Sequence, residues 1–348
     1  MEALATTGGR DGRQNRNRAF DFNVFASELF NSIKVSKSQS AETEEGSLGA
    51  TVDLQTARPF DYDGFTFAAG GQMGYNDLAE NFDPRASMLV SDIWADGKFG
   101  ALLSVAYSSR GIVEEGHSTV RWDPGTGSGG FNAASIAGAK LATTFHPRIP
   151  RYGVLEHEQE RLGVTASLQY APSKATEINL DLLYADFDAT RTENFLEAVS
   201  FSRTGANGKP QTIVKDGVID AHGNLVYGVF DNVDIRSEAR YDELATQFTQ
   251  IGLSGSHRFN DKFSMSASVG RSESDFDNPI QTTITLDRAN TDNYVWDYRN
   301  NDRLPSFNYG FDVTDPANWT FANGLSEIRL RPQTALNSID SGNLEFKL

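Results

Sequence analysis

The sequence predicts an all-β chain: a transmembrane antiparallel β-barrel, partial at about seven or eight strands, preceded by a short N-terminal domain. Three observations predict it. From residue 65 onward, segments alternate apolar and polar side chains with period two, as a strand with two unlike faces requires. Connection lengths also alternate. The turns at 96–97, 171–176 and 259–262 are short, the connections at 111–154, 192–238 and 278–341 are long, and 76–85 is intermediate. Membrane barrels place short turns at one end and long loops at the other, whereas a soluble sandwich has no reason to. Finally, aromatics sit near strand ends on the apolar face: Phe65, Tyr170 and Phe263 at the short-turn end, Tyr75, Tyr107 and Tyr184 at the long-loop end. Two such rows bracket an apolar band at the two lipid–water interfaces.

Residues 1–19 are Gly- and Arg-rich. Arg10, Arg13, Arg16 and Arg18 form a basic run that reads either as a loop meeting acidic groups or as a disordered end. Phe22, Phe25, Leu29, Phe30 and Ile33 then recur at helical spacing, predicting a short helical turn. A strand over Ile33–Ser36, an acidic turn at 42–46 and a second strand over Leu48–Thr56 follow. The long strands are read at 65–75, 86–95, 99–110, about 155–170, 177–191, about 239–258 and 263–277, with an eighth beginning at Gly342. Asp96-Gly97 signals a two-residue hairpin. A further exposed hairpin is read at Thr212–Ile219.

Composition narrows the class. The 348 residues carry a net charge of −16, which argues against nucleic acid as a partner. The absence of cysteine removes disulfides and thiol chemistry. No run of about 18 apolar residues forms a transmembrane helix, and barrel strands do not need one. The first twenty residues have no apolar core of a signal peptide.

The stretch 20–59 carries the most specific pattern: Ser38, Ala41, Glu45, Gly46, Gly49, Val52 and Leu54, set within FNVFASELFNSIKVSKS and AETEEGSLGATVDLQTARP. It closely resembles the end of the plug domain of TonB-dependent outer-membrane receptors. The plug-closing residues are Glu45, Gly46, Gly49, Val52 and Leu54. The resemblance implies that residues 1–59 are the C-terminal part of a plug domain. It implies that 60–348 are the N-terminal part of the receptor's barrel. It further implies a transporter in the cell outer membrane, not an enzyme. Such a receptor captures a scarce nutrient at extracellular loops and imports it with TonB-coupled energy. Its partners would be outer-membrane lipid, TonB and a small nutrient ligand, oligosaccharide or siderophore. The TonB box is missing from this chain. A family barrel needs about 22 strands. The chain is therefore expected to be an internal piece of a larger receptor that neither closes a barrel nor transports unaided.

Candidate chemistry is sparse. G-x-S-x-G, P-loop, H-E-x-x-H and C-x-x-C patterns are all missing, so no catalytic residue and no cofactor is expected. His117, His146, His157, His222 and His257 have no metal-ligand spacing. Asp186/Asp188 and Asp275/Asp277 share strand faces, but read as strands continuing into water rather than as a calcium site. Trp122, Trp296 and Trp319, with Phe131, Tyr294, Tyr298 and Phe307 nearby, are the candidate ligand-binding residues, offering flat faces to a sugar or an aromatic chelate. The alternative reading is a soluble or surface-attached β-protein that binds carbohydrate. It predicts that the apolar strand face is buried rather than lipid-facing. A porin without a plug is disfavoured by the 20–59 pattern.

Overall fold

The period-two pattern from residue 65 onward becomes one run of long strands. The computed structural model describes residues 22–38, 50–124, 144–202 and 212–348. The N-terminal strands are β1 (Phe30–Ser36) and β2 (Thr51–Thr56). They are followed by β3 (Thr66–Asn76), β4 (Asn81–Trp94), β5 (Phe99–Ser118), β6 (Trp122–Pro124), β7 (Phe145–Pro147), β8 (Arg151–Ser173) and β9 (Thr176–Ala198). Next come β10 (Ile213–Ile219), β11 (Leu225–Asp231), β12 (Val233–Asn260) and β13 (Phe263–Thr291). The chain ends with β14 (Tyr294–Asp297), β15 (Ser306–Asn308), β16 (Ile328–Leu330) and β17 (Gln333–Lys347).

The main sheet is an up-and-down antiparallel meander in the order β3-β4-β5-β8-β9-β12-β13, with β17 and β16 both pairing β13. It is not closed: β3 forms one edge and β17 the other. Three smaller sheets accompany it, β1–β2, β6–β7 and β10-β11-β14-β15.

The two faces of the main sheet differ sharply. The outer face exposes Phe65, Phe67, Met73, Leu103, Leu168, Leu180, Leu253 and Val269, and Phe65 retains 72% of its surface. Aromatics border this band. At the short-turn end Trp94 stacks on Phe99 at 5.8 Å, Phe99 lies opposite Tyr170, and Phe263 stacks on Phe259 at 5.0 Å. At the other end Tyr75 packs on Phe82 at 5.1 Å. From Phe65 to Tyr75 a strand rises about 34 Å, or about 26 Å normal to a sheet tilted by roughly 40°.

The inner face is mixed: Ser104, Thr165, Ser167, Gln169 and Asn179 are buried along it beside Leu102, Ala106, Leu183, Ala185 and Phe248. Residues 22–30 and 57–62 lie on this face. Val24, Ala26 and Leu29 pack with Ala106, Leu183, Ala185 and Phe248, and Phe25 meets Phe248 edge-on at 5.2 Å. Arg58 pairs with Asp181 at 2.6 Å, and the Phe60 amide donates to Gln169 Oε1 at 2.7 Å.

Several expectations need correction. The predicted helical turn is two 3-10 turns, Phe22–Val24 and Ser27–Leu29, split by extended backbone at Ala26. Phe22 and Ile33 are exposed, and the buried apolar residues are Val24, Ala26 and Leu29. The first hairpin strand starts at Phe30 rather than Ile33. The Asp96-Gly97 hairpin is a four-residue turn, because Trp94 pairs with Phe99 while Ala95 and Asp96 both take positive φ. The 76–85 connection shrinks to 77–80, since β4 begins at Asn81. Thr212–Ile219 is not a hairpin by itself: β10 is one arm, and β11 is the other.

The long loops are shorter than expected because strands run far past the second aromatic row. β5 reaches Ser118, β8 begins at Arg151, β9 reaches Ala198, β12 begins at Val233 and β13 reaches Thr291. The eighth strand begins at Gln333, nine residues before the predicted Gly342. Within β13 the register against β12 shifts between Ala245↔Asp277 and Glu243↔Ile280. That bulge changes which parity faces inward, so the unbroken alternation ends at 277. Glu45, Gly46 and Gly49, residues 1–19 and Phe131 lie outside the described residues. Val52 and Leu54 stand on β2, paired with Val35 and Ile33.

Candidate functional site

Beyond the aromatic row at Tyr107 and Tyr184, the inner face changes from small and hydroxylic to charged. Because inward residues recur every second position, β9 contributes Arg191, Glu193 and Glu197, and β12 contributes Arg236, Glu238, Arg240 and Asp242. Antiparallel register lines them into rows. His157, Arg191, Asp242 and Gln281 face one another across four strands, as do Arg151, Glu197, Arg236 and Asp287.

The rows are neutralised locally. Arg191 donates from Nε to Asp242 Oδ2 at 2.9 Å. Arg240 bridges Glu238 at 2.5 Å and Glu193 at 3.2 Å, and Arg151 reaches Glu197 at 3.4 Å. Arg236 meets Asp287 at 3.0 Å and gives a second bond to the Leu325 carbonyl at 2.7 Å. Both Arg236 and Asp287 are buried. Arg151 also lies over the Phe195 ring at 3.9 Å, and Arg240 over the same ring at 5.5 Å.

Between these rows and the strand ends is a cavity of ≈ 420 Å³, lined among others by Arg148, Arg151, Glu197, Arg236, Glu238 and Arg240. That falls within the roughly 300–1,000 Å³ of small-ligand sites. A smaller recess of ≈ 60 Å³ adjoins Arg191, Asp242, Gln281 and Arg331. Alternating guanidinium and carboxylate groups offer donors and acceptors side by side, a wall suited to ligands rich in polar groups. Among the described residues, no group of three or more His, Asp or Glu is placed to hold a metal.

Burial and neighbours tune the titratable groups. His157 is pushed down to about 4, first by burial and then by Arg191, Arg161 and Arg110. Burial, with Glu238 beside it, raises Glu197 against the pull of Arg151 and Arg236. His157 gives a pH prediction. A histidine whose folded pKa lies below its unfolded value of about 6.5 binds more protons when unfolded. Its contribution is present above pH 6.5 and is lost as pH falls towards 4. The melting temperature should therefore fall across that window, and His157→Gln should flatten the fall. An unchanged pH profile in His157→Gln would contradict the assignment.

The three tryptophans meet different fates. Trp296 is fully buried, its ring against Phe201 at 4.6 Å and Phe230 at 4.5 Å. With Tyr294, Leu225, Val233 and Ile235 it forms the core under β10, β11 and β14. Its expected place as a ligand-binding face is thus corrected to a packing role, because both ring faces are covered. Trp319 is half-buried, edge-on to Phe311 at 5.5 Å, and its Nε1 donates to the Val313 carbonyl at 3.0 Å. Trp122 keeps 36% of its surface. It sits edge-on to Tyr298 at 5.6 Å, and Tyr298 in turn meets His117 at 5.3 Å and Phe307 at 6.4 Å, with Tyr152 against Phe307.

That aromatic group is well fixed. His117 Nδ1 donates to the Arg151 carbonyl at 3.0 Å, so Nε2 accepts from the Tyr298 hydroxyl at 3.0 Å. Burial lowers the His117 pKa, which favours this neutral tautomer. Tyr152 donates to the Pro305 carbonyl at 2.7 Å. Arg151 joins this group to the cavity wall, and Val120 and Ile149 line the cavity nearby. Asp186, Asp188, Asp275 and Asp277 stand instead on the outer face, away from the cavity.

The charged rows escaped the sequence reading, which placed 192–238 in a loop. No protein-family model, curated protein or solved structure matches the chain.

Proposed function

We propose that the chain is part of a TonB-dependent outer-membrane receptor, with residues 22–62 as the end of its plug and the main sheet as the first portion of its barrel wall. The observation that carries this reading is the disposition of the two faces. One face presents an apolar band between aromatic rows, with a height near the roughly 25 Å expected of a membrane barrel. The other mixes buried hydroxyl, amide and apolar side chains and holds residues 22–30 and 57–62 against it. A soluble β-protein that binds carbohydrate would cover such an apolar face, since an exposed patch of this extent favours association in water.

In this reading the cavity at the charged rows, with the Trp122 group at its margin, is where a nutrient is held before import. Oligosaccharide and siderophore both remain cargo classes consistent with it. The plug segment below the cavity blocks passage until energised TonB moves it. The open edges of β3 and β17 would meet further strands of the whole receptor, because unpaired strand edges are costly in hydrocarbon.

Two experiments test the proposal. Fractionated producer cells should yield the protein in the outer membrane, released by detergent but not by high salt. Recovery as a compact monomer in detergent-free buffer would overturn the membrane reading. Deleting the gene should abolish uptake of one cargo class, and loss of TonB should abolish the same uptake. Uptake unchanged by either deletion would overturn the transport reading.

A further inference from the structure

We propose that the cavity at the charged rows takes an organic anion with two or more carboxylates, a uronate oligosaccharide or a hydroxycarboxylate chelate of iron, in preference to a neutral sugar. The inference deepens the receptor reading and rests on it for the cavity's role as the cargo site.

Charge balance alone does not give this preference. Among the described residues five arginines and two glutamates line the cavity. Further acids stand beside and behind them, and each of the five arginines has an acidic partner. Depth is what separates the two signs. Glu197 and Glu238 keep no more than 4% of their side-chain surface, whereas Arg148, Arg240 and Arg329 keep 26–29%. Arg151 lies between, and only Arg236 is as deep as the acids, held on Asp287. Glu193 and Asp287, which neutralise Arg240 and Arg236 from outside the lining, are buried as well. The acids form the floor, and the guanidinium groups form the surface that a ligand meets. A neutral sugar uses donors and acceptors alike, and here the strong acceptors are sunk below its reach.

Two of the outer arginines also have donors unspent. Arg148 Nε faces Asp123 at 3.8 Å and Arg329 Nη2 faces Glu327 at 3.3 Å. Among the described residues neither side chain donates a hydrogen bond, and the Nε of each has no partner. Arg240 differs, since it already donates to Glu238 and Glu193. A guanidinium presents five donors in a fork that fits a carboxylate through two parallel bonds. Arg148 follows β7 and Arg329 stands on β16, so a ligand with two anionic groups engages both. Arg240 and Arg329 also line the smaller recess, where Arg331 extends the same cationic surface.

Val120, Ile149 and Val199 share the cavity wall. A small inorganic anion would leave them wet. The carbon skeleton of a sugar acid or a hydroxycarboxylate covers them.

Binding of trigalacturonate to the full chain in detergent micelles would be measured by calorimetry at about 50 mM salt. It should be at least about tenfold tighter than binding of the neutral galactose trimer of the same linkage. Raising the salt to about 500 mM should weaken the acid's binding. Arg148→Gln combined with Arg329→Gln should remove at least about tenfold of the acid's affinity. Neither change strips a buried carboxylate of its cation, because Asp123 retains Arg121 at 2.7 Å and Glu327 is open to water. The fold should therefore be kept, read as an unchanged melting temperature. Ferric citrate titrated in parallel separates the two sources, and the tighter of the two acids names the ligand. The proposal is overturned if the neutral trimer binds as tightly as trigalacturonate, if the double change leaves the acid's affinity intact, or if neither acid binds. The titration needs neither TonB nor uptake. Its failure beside normal TonB-dependent uptake would strike this inference alone, and failed fractionation or uptake would strike the receptor reading while the measured ligand class stands.

Discussion

Asp287→Ala should destabilise the chain by about 3–5 kcal/mol, the cost of leaving one member of a buried ion pair alone. Asp287 is buried at the end of the inner-face row and accepts from Arg236 Nε at 3.0 Å and from Ser326 Oγ at 2.6 Å. Its backbone also exchanges hydrogen bonds with Thr320. Removing the carboxylate leaves the buried Arg236 with the Leu325 carbonyl as its hydrogen-bond acceptor and a longer ion pair to Glu327 at 3.9 Å. The loss should be read by denaturant unfolding and, locally, by faster hydrogen exchange at 320–327. Asp287→Asn keeps an acceptor and should cost less. A loss below about 1 kcal/mol for Asp287→Ala would mean that water already reaches the pair.

Trp296→Ala should cost a similar amount, about 3–5 kcal/mol, but in a different place. The indole fills the centre of the cluster formed with Phe201, Phe230, Tyr294 and Leu225. Its removal leaves a hole beneath β10, β11 and β14, and hydrogen exchange there should rise while β5, β8 and β9 stay protected. Trp122→Ala, at a half-open margin, should cost less than about 1 kcal/mol in stability. If Trp122 touches cargo, its loss should appear instead as weaker uptake with normal folding. Equal destabilisation by the two changes would contradict the division between core and margin.

The portion of the fold between the two aromatic rows was legible in the sequence because its alternation is apolar against polar. Leu162, Val164, Ala166, Leu168 and Tyr170 against Gly163, Thr165, Ser167 and Gln169 leave little doubt about a strand or about which residues share a face. Past Tyr184 the contrast changes kind. Arg191, Glu193 and Glu197 alternate with Thr192, Asn194 and Leu196, and Arg236, Glu238, Arg240 and Asp242 alternate with Ser237, Ala239, Tyr241 and Glu243. A search for apolar stripes reads such a stretch as a loop. The period of two was present in the charges, and counting charge parity would have extended β9 and β12 into the charged rows. The bulge near Asn278 hid the rest of β13, since it swaps parity in the middle of a strand. Trp296 shows a different limit: a tryptophan in a connecting segment is equally suited to a ligand and to a loop core, and only its complete burial among Phe201, Phe230 and Tyr294 decides between them.

The central claim is that the outer face meets lipid, and Trp94 tests it most directly. It keeps 46% of its surface and stacks on Phe99 at the short-turn border of the apolar band. With the chain reconstituted in vesicles, lipids brominated on their acyl chains should quench part of the tryptophan fluorescence. That part should vanish in Trp94→Phe and persist in Trp122→Phe. Quenching that is unchanged in Trp94→Phe, or no quenching at all, would contradict a lipid-facing outer surface.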